Sequence, residues 1–171
     1  MPSCINSAVV STEENEKTPE EDVETPVNQD YKYTVKYLEK ETNEVLHEDK
    51  VVDSKYGTEI TAVNEKIEID GYYFDSINVD TLTVGVIESE NVIEIYYVKR
   101  ADLSYTVNYL EKETNEVIKP AKVVNNQIFM TEIISNSEVV DIEGYYFDSL
   151  NPEIIIIGTD ETQNVINLFY V

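Results

Sequence analysis

The chain contains a duplication, and that feature limits its fold more than any other. The segment from Tyr33 to Val45 returns from Tyr105 to Val117, with Lys36 replaced by Asn108 as the only change. Gly71–Ser76 returns unchanged as Gly144–Ser149, and Val92–Val98 returns in related form as Val165–Val171. The offset is 72 residues at first and 73 later, so one residue enters between Asn125 and Thr131, opposite Asp53–Thr58. With 34 of 66 aligned positions identical, the two copies must share one fold. The sequence is therefore divided into a leader, residues 1–30, and two homologous modules, residues 31–100 and 101–171. A unit of this size buries only about 60% of its unfolded surface, so its core must use large side chains efficiently. Thirteen Tyr with no Trp meet that need, since a phenol adds burial while its hydroxyl is expected to stay in water.

The local patterns within each copy are those of strands. Tyr33, Val35 and Tyr37 alternate with Thr34 and Lys36, the period of two of a half-buried strand. Glu41–Glu44 then supplies turn chemistry, with Asn43 suited to a left-handed conformation, and Val45–Val52 returns to complete a hairpin. Val92–Val98, rich in β-branched and aromatic residues, closes the module. Thr81–Val84 and Ile154–Ile157 are a further strand in each copy. Residues 59–69 and 132–142 have no clean period and are read as a short helix or a loop. The expectation is a mainly β fold of about four strands per module with at most one helical turn.

The formal charge of −23 comes from 35 acidic and 12 basic side chains and is spread along the whole chain. That distribution disfavours nucleic acid and anionic membrane surfaces as partners. In residues 1–30, Glu13, Glu14, Glu16, Glu20, Glu21, Asp22 and Glu24 crowd around Pro19 and Pro26, the composition of a disordered linker. The single cysteine, Cys4, excludes an internal disulfide and reads as a free thiol. The sequence has no signal peptide and no apolar run of membrane length. Export of these modules would therefore rest on signals in a longer parent chain. The short joint Lys99–Ser104 lacks Gly and Pro, so a joint of limited freedom and an elongated, monomeric arrangement are expected.

These motifs resemble the MucBP (mucin-binding protein) repeats of Gram-positive surface proteins. The matching positions are Thr34–Tyr37, Gly71-Tyr72 and Ile95–Val98, with Thr106–Tyr109, Gly144-Tyr145 and Leu168–Val171 in the second copy. The resemblance implies a β-grasp-like module used in tandem on long, cell-wall-attached extracellular adhesins. It also implies host mucin, a neutral glycan or an extracellular protein as partner, or a stalk role without a ligand. Two departures stand out. The first turn lacks the usual glycine, and the mid-module glycine kept as Gly57 is Met130 in the second copy.

Candidate sites were weighed against plainer readings. The middle tyrosines of the Tyr72–Phe74 and Tyr145–Phe147 triplets, Tyr73 and Tyr146, are the candidate ligand contacts, because adjacent residues on a strand face opposite sides. An outward ring could stack on a sugar, or it could merely cover the module's flank. Asp75, Asn78 and Asp80, matched by Asp148, Asn151 and Glu153, place oxygen donors near a turn. Each set offers about three of the six to eight oxygens calcium takes, so a solvated acidic loop is the favoured reading and no metal or other cofactor is expected. Lys–Asn isopeptide links are disfavoured because Lys36 aligns with Asn108. Catalysis is also disfavoured. His47, the only histidine, aligns with Lys119, and no nucleophile–base set or phosphate-cradling loop is present. A carbohydrate-active enzyme or accessory domain, built on a chance carboxylate pair, is the remote alternative.

Overall fold

The computed structural model describes residues 29–171. The expectations for the acidic leader up to Asn28 and for Cys4 lie outside the described residues. The first copy forms β1 (Asp30–Glu39), β2 (Val45–Lys55), β3 (Glu59–Thr61), β4 (Tyr72–Ile77), β5 (Thr81–Thr83) and β6 (Val92–Lys99). The second repeats them as β7 (Leu103–Glu111), β8 (Val117–Gln127), β9 (Glu132–Ile134), β10 (Phe147–Asn151), β11 (Ile154–Ile156) and β12 (Val165–Tyr170). The fold is mainly β, as expected, but each copy holds six strands where the sequence suggested about four. The additions are β3 and β4, with β9 and β10 in the second copy: the first of each pair is three residues long, and the second runs from aromatic to polar residues without alternating. A four-stranded sheet of order β2-β1-β6-β4, or β10-β12-β7-β8, is accompanied by a two-stranded sheet, β3 with β5 or β9 with β11. The only helical structure in the unpatterned stretches is a 3-10 turn, Ala62–Glu65 or Ser135–Glu138.

Contacts group the described residues into two compact units. One takes in the chain up to Leu38 with Val45–Lys66 and Ser76–Tyr96; the other takes in Glu39–Glu44, Ile67–Asp75 and Tyr97–Val171. In the second unit β7 pairs antiparallel with β8 and parallel with β12, and β10 closes the sheet antiparallel to β12. Alternation on the central pair sends Tyr105, Val107 and Tyr109 from β7, and Ile166, Leu168 and Tyr170 from β12, into one core with Ile155 and Ile157. In the first unit Tyr33, Val35 and Tyr37 are buried in the same pattern.

The buried tyrosines depart from expectation in one respect: the hydroxyls of Tyr33, Tyr37, Tyr97, Tyr105 and Tyr170 find protein partners. Tyr170 Oη donates to Val140 O at 2.9 Å, Tyr97 Oη donates to Ile67 O at 2.9 Å, and Tyr37 Oη donates to Glu65 O at 3.2 Å. Each such bond ties a sheet to the 3-10 turn or to the irregular stretch that follows it. A buried hydroxyl left without a partner would cost about 1–3 kcal/mol, so the tyrosines serve as both core and clasp.

The turns explain the departures noted in the sequence. Asn43 and Asn115 take φ of 60° and 61°, the left-handed conformation a glycine would otherwise supply. Glu39 stabilises its turn by accepting from Thr42 N and Thr42 Oγ1, both at 2.7 Å, and Glu111 does the same for Thr114. Met130 adopts φ 70° where Gly57 adopts φ 82°. Its N–H donates to Ile157 O at 2.8 Å, as Gly57 N–H donates to Val84 O at 2.8 Å. The backbone conformation is therefore kept without the glycine. The extra residue of the second copy is absorbed as a bulge: Leu103 pairs with Gln127 but Tyr105 with Val124, and Asn126 turns to φ 59°.

The exposed face of the second copy as a candidate functional site

The triplets sit where the turn at Gly71 or Gly144 leads into the edge strand of each sheet. In the first, Tyr73 is 49% exposed, yet its ring is occupied. Tyr73 Oη donates to Asp102 Oδ2 at 2.7 Å, and the Arg100 guanidinium lies 5.2 Å from the ring centroid. Arg100 Nε also donates to Asp102 Oδ1 at 3.0 Å, closing a three-residue cluster. The hydrogen bond to Asp102 raises the Tyr73 phenol above its ordinary range, and those from Arg100 and then Tyr73 hold the Asp102 carboxyl below its own. Tyr146 differs sharply. It is 82% exposed and lies just before β10, held through its backbone, with N–H and C=O both bonded to Val171 at 2.8 and 2.9 Å. The ring is free to receive a flat apolar surface while its anchor is fixed.

The flanking phenylalanines are only partly buried. Phe74 packs edge-on against Tyr97 at 6.4 Å and Phe147 against Tyr170 at 5.8 Å, but each remains more than a third exposed. Beside Phe147 lies an open groove of about 560 Å³, lined by Ile134, Asn136, Phe147, Asp148, Ser149, Leu150, Glu153 and Ile154. On the two-stranded sheet Ile134 and Ile154 are direct cross-strand partners, and with Ile156 they are about half exposed. The aligned residues of the first copy are Thr61, Thr81 and Thr83. Three exposed threonines have thus become three exposed isoleucines on one small sheet. Burying the exposed half of each isoleucine side chain would release about 1 kcal/mol, so the change converts a polar surface into an apolar one. The duplication put this signal in plain sight, yet comparing the copies for identity alone does not reveal it.

The acidic candidates take structural roles. Asp75 pairs with Lys40 at 2.8 Å and Asp148 with Lys112 at 2.7 Å. Hydrogen bonds from Lys112 and then Ser149 keep the Asp148 carboxyl below its ordinary range, and the Lys112 amine is raised by the same contact. Asn78 staples the sheet edge, accepting from Glu94 N at 2.9 Å and donating to Val92 O at 3.3 Å. Asp80, Asn151 and Glu153 lie near these turns, Asn151 preceding a cis peptide to Pro152. Among the described residues no group of three or more His, Cys, Asp or Glu side chains is arranged to hold a metal ion. His47 packs its ring against Tyr37 at 5.4 Å, and its Nδ1 lies 3.0 Å from Glu48 O. Lys36 pairs with Asp49 at 3.0 Å and Lys50 with Glu65, which leaves these amines in ion pairs.

Among the described residues no helix is long and apolar enough to cross a membrane. A profile of the MucBP domain matches the chain twice, over residues 32–98 and 105–170. No curated protein matches it. Solved structures similar to it include the type 2 repeat of the mucus binding protein MUB from Lactobacillus reuteri, 14% identical with a TM-score of 0.33. Another is Mub-RV, 17% identical with a TM-score of 0.32. Each match covers 82% of this chain and 98% of the other.

Proposed function

The chain belongs to the MucBP domain family, and from that premise we propose that it is an adhesive tandem repeat of a bacterial cell-wall-attached surface protein whose ligand contact lies on the second copy. The ligand class is a neutral glycan chain such as mucin carries. The observations that support this reading are the freedom of the Tyr146 ring, set against the occupied ring of Tyr73, and the isoleucine-lined groove on the same copy. A pyranose presents an apolar C–H face that can stack on a tyrosine ring, and hydroxyls that suit Asn136, Ser149 and Glu153 along the groove. The net charge of −23 favours neutral over sialylated or sulfated sugars, since like charges repel within the ~8 Å screening length. The role is binding rather than catalysis, because the groove's one strongly held carboxylate, Asp148, is neutralised by Lys112.

Mucin and glycan arrays probed with the wild-type chain, Tyr146→Ala, the Ile154→Thr, Ile156→Thr pair and Tyr73→Ala test the proposal. Binding should fall at least about tenfold in the first two variants, the effect of losing roughly 1.4 kcal/mol of contact, and stay intact in Tyr73→Ala. Binding that survives both changes overturns the assignment of the site. A complete lack of binding would favour the alternative role of spacer, which the engagement of Tyr73 by Arg100 and Asp102 also suits.

A further inference from the structure

Gly71 is constrained twice over. Its φ of 84° lies in the left-handed region, and a Cβ added to it would meet the Phe129 ring at 2.2 Å. Phe129, on the turn after β8, therefore fits into a notch that only glycine provides, and it stands edge-on to Tyr72 at 5.7 Å. The backbone completes the contact: Arg100 N–H donates to Gly71 O at 2.9 Å, and Phe129 N–H donates to Arg100 O at 2.8 Å. All of these residues belong to the second unit.

The duplication carries both halves of this contact a second time. Gly144 takes φ 88°, and Tyr145 N–H donates to Ile142 O at 3.0 Å just as Tyr72 N–H donates to Ile69 O at 3.1 Å. The notch is thus formed in the same conformation, but nothing among the described residues lies within 4 Å of the position a Gly144 Cβ would take. The aromatic half recurs as Tyr56, which precedes Gly57 as Phe129 precedes Met130. The turn is the same, since Thr58 N–H donates to Lys55 O at 3.1 Å and Thr131 N–H to Ile128 O at 3.2 Å. Tyr56 is 44% exposed.

We propose that the Gly144–Tyr145 notch is a docking site for Tyr56 of a second copy of this chain, giving a weak head-to-tail contact that repeats the one Phe129 makes with Gly71. Charge supports that occupant. Ile128, the neighbour of Phe129, lines a hollow with the acidic turn residues Glu39, Glu41 and Glu44. In the aligned position beside Tyr56 stands Lys55, whose exposed amine pairs with Asp30 at 2.7 Å within the chain and would exchange that partner on docking, and the aligned turn beside the empty notch offers Glu111, Glu113 and Glu116. An apolar neighbour next to an acidic turn is thus replaced by a cation facing the same acidic turn. One feature keeps the contact weak: Val86 stands where Thr159 donates to Asp70 at 2.8 Å, so that hydrogen bond has no counterpart. The chain is monomeric when dilute and associates only as its concentration rises.

Amide chemical shifts of the full chain, followed from tens of micromolar to millimolar, test the contact directly. Shifts should move together at Gly144–Tyr146, Glu113–Glu116 and Lys55–Gly57. Tyr56→Ala should abolish the movement, Tyr56→Phe should preserve it, and Lys55→Glu should weaken it at least about fivefold, as reversing a facing charge does. Labelled Tyr56→Ala chain, which keeps only the notch, should still respond at Gly144–Tyr146 when unlabelled wild-type chain is added. An absence of concentration-dependent shifts at millimolar concentration overturns the proposal. So does movement that persists when Tyr56→Ala is titrated against itself.

Discussion

Replacing Asn164 by Ala should remove more stability than any other single polar change in the second copy. Asn164 is almost fully buried and makes three hydrogen bonds: Nδ2 donates to Ser104 O at 3.0 Å and to Gly158 O at 2.9 Å, while Oδ1 accepts from Gly158 N at 2.9 Å. It thereby joins the start of β7, the loop after β11 and the start of β12 through one side chain. A net value of about 1 kcal/mol per bond gives a loss of roughly 3 kcal/mol, and the stranded Gly158 and Ser104 groups keep the loss from falling much below 2. For a domain of this size that corresponds to a fall in Tm of about 10–25 °C, readable by calorimetry or circular dichroism. Asn164→Asp sharpens the test. One carboxylate oxygen can still accept from Gly158 N, but the other then faces two carbonyl oxygens and bears a charge away from water. At neutral pH the Asp variant should therefore be less stable than the Ala variant, and the order should narrow as the carboxyl is protonated. A loss below about 1 kcal/mol in Asn164→Ala, or an Asp variant as stable as wild type at neutral pH, would refute the assignment of these bonds.

The remaining predictions concern other parts of the fold. Burial, with the hydrogen bond to Glu138, pushes the Tyr105 phenol up to about 12, so its neutral form is favoured in the folded state. The stabilisation it gives is complete below pH 10 and should be lost as pH rises from there toward 12, a loss that Tyr105→Phe should remove from the pH–stability curve. Burial raises the Glu138 carboxyl, but hydrogen bonds from Lys122 and Tyr105 outweigh it and leave the group below its ordinary range. Its contribution is present above the unfolded value and lost as pH falls through the folded one, so Glu138→Gln should flatten the acid limb of the same curve. Gly71→Ala should cost about 1 kcal/mol more than Gly144→Ala, since both bear left-handed strain but only the first displaces an aromatic ring. In a Phe129→Ala background that difference should vanish, as chemical denaturation of the four variants can establish.

How much of this was legible in the sequence depended on whether a feature repeats or diverges. The long strands were legible because Tyr33, Val35 and Tyr37 alternate cleanly, and the two copies confirm each other's boundaries. The three-residue strands β3 and β9 were not, because so short a segment is specified by the register of its neighbours rather than by its own pattern, whereas their partners β5 and β11 were legible in Thr81–Val84 and Ile154–Ile157. The exposure of Tyr73 and Tyr146 followed from their central place in each triplet. That the two differ so much did not, since the difference comes from Arg100 and Asp102, which lie outside the triplet. Asn91 and Asn164 carry no such signal. An asparagine before a strand reads as turn chemistry, and only the fold shows each holding two backbone groups of a glycine six residues back and one carbonyl of a distant strand.

The two copies also show which positions the fold requires and which are free to acquire function. Positions that build the sheet or close its loops are kept in identity or in chemistry: Tyr33 and Tyr105, Tyr97 and Tyr170, Asn91 and Asn164, Lys50–Glu65 and Lys122–Glu138. Where chemistry changes, conformation often does not, as when Met130 holds the left-handed turn of Gly57. Among the divergences that alter surface character are threonine to isoleucine on the two-stranded sheet, Tyr56 to Phe129, Lys55 to Ile128 and Val86 to Thr159. The first of these creates an apolar face on the second copy, and the other three adapt one turn and one loop of that copy to the notch at Gly71. A shared core therefore leaves the edge turns and the small sheet as places where the surface chemistry of one copy can depart from that of the other. Substituting those residues should transfer the properties between copies without unfolding either, because surface changes away from caps and cores usually stay within about 0.5 kcal/mol.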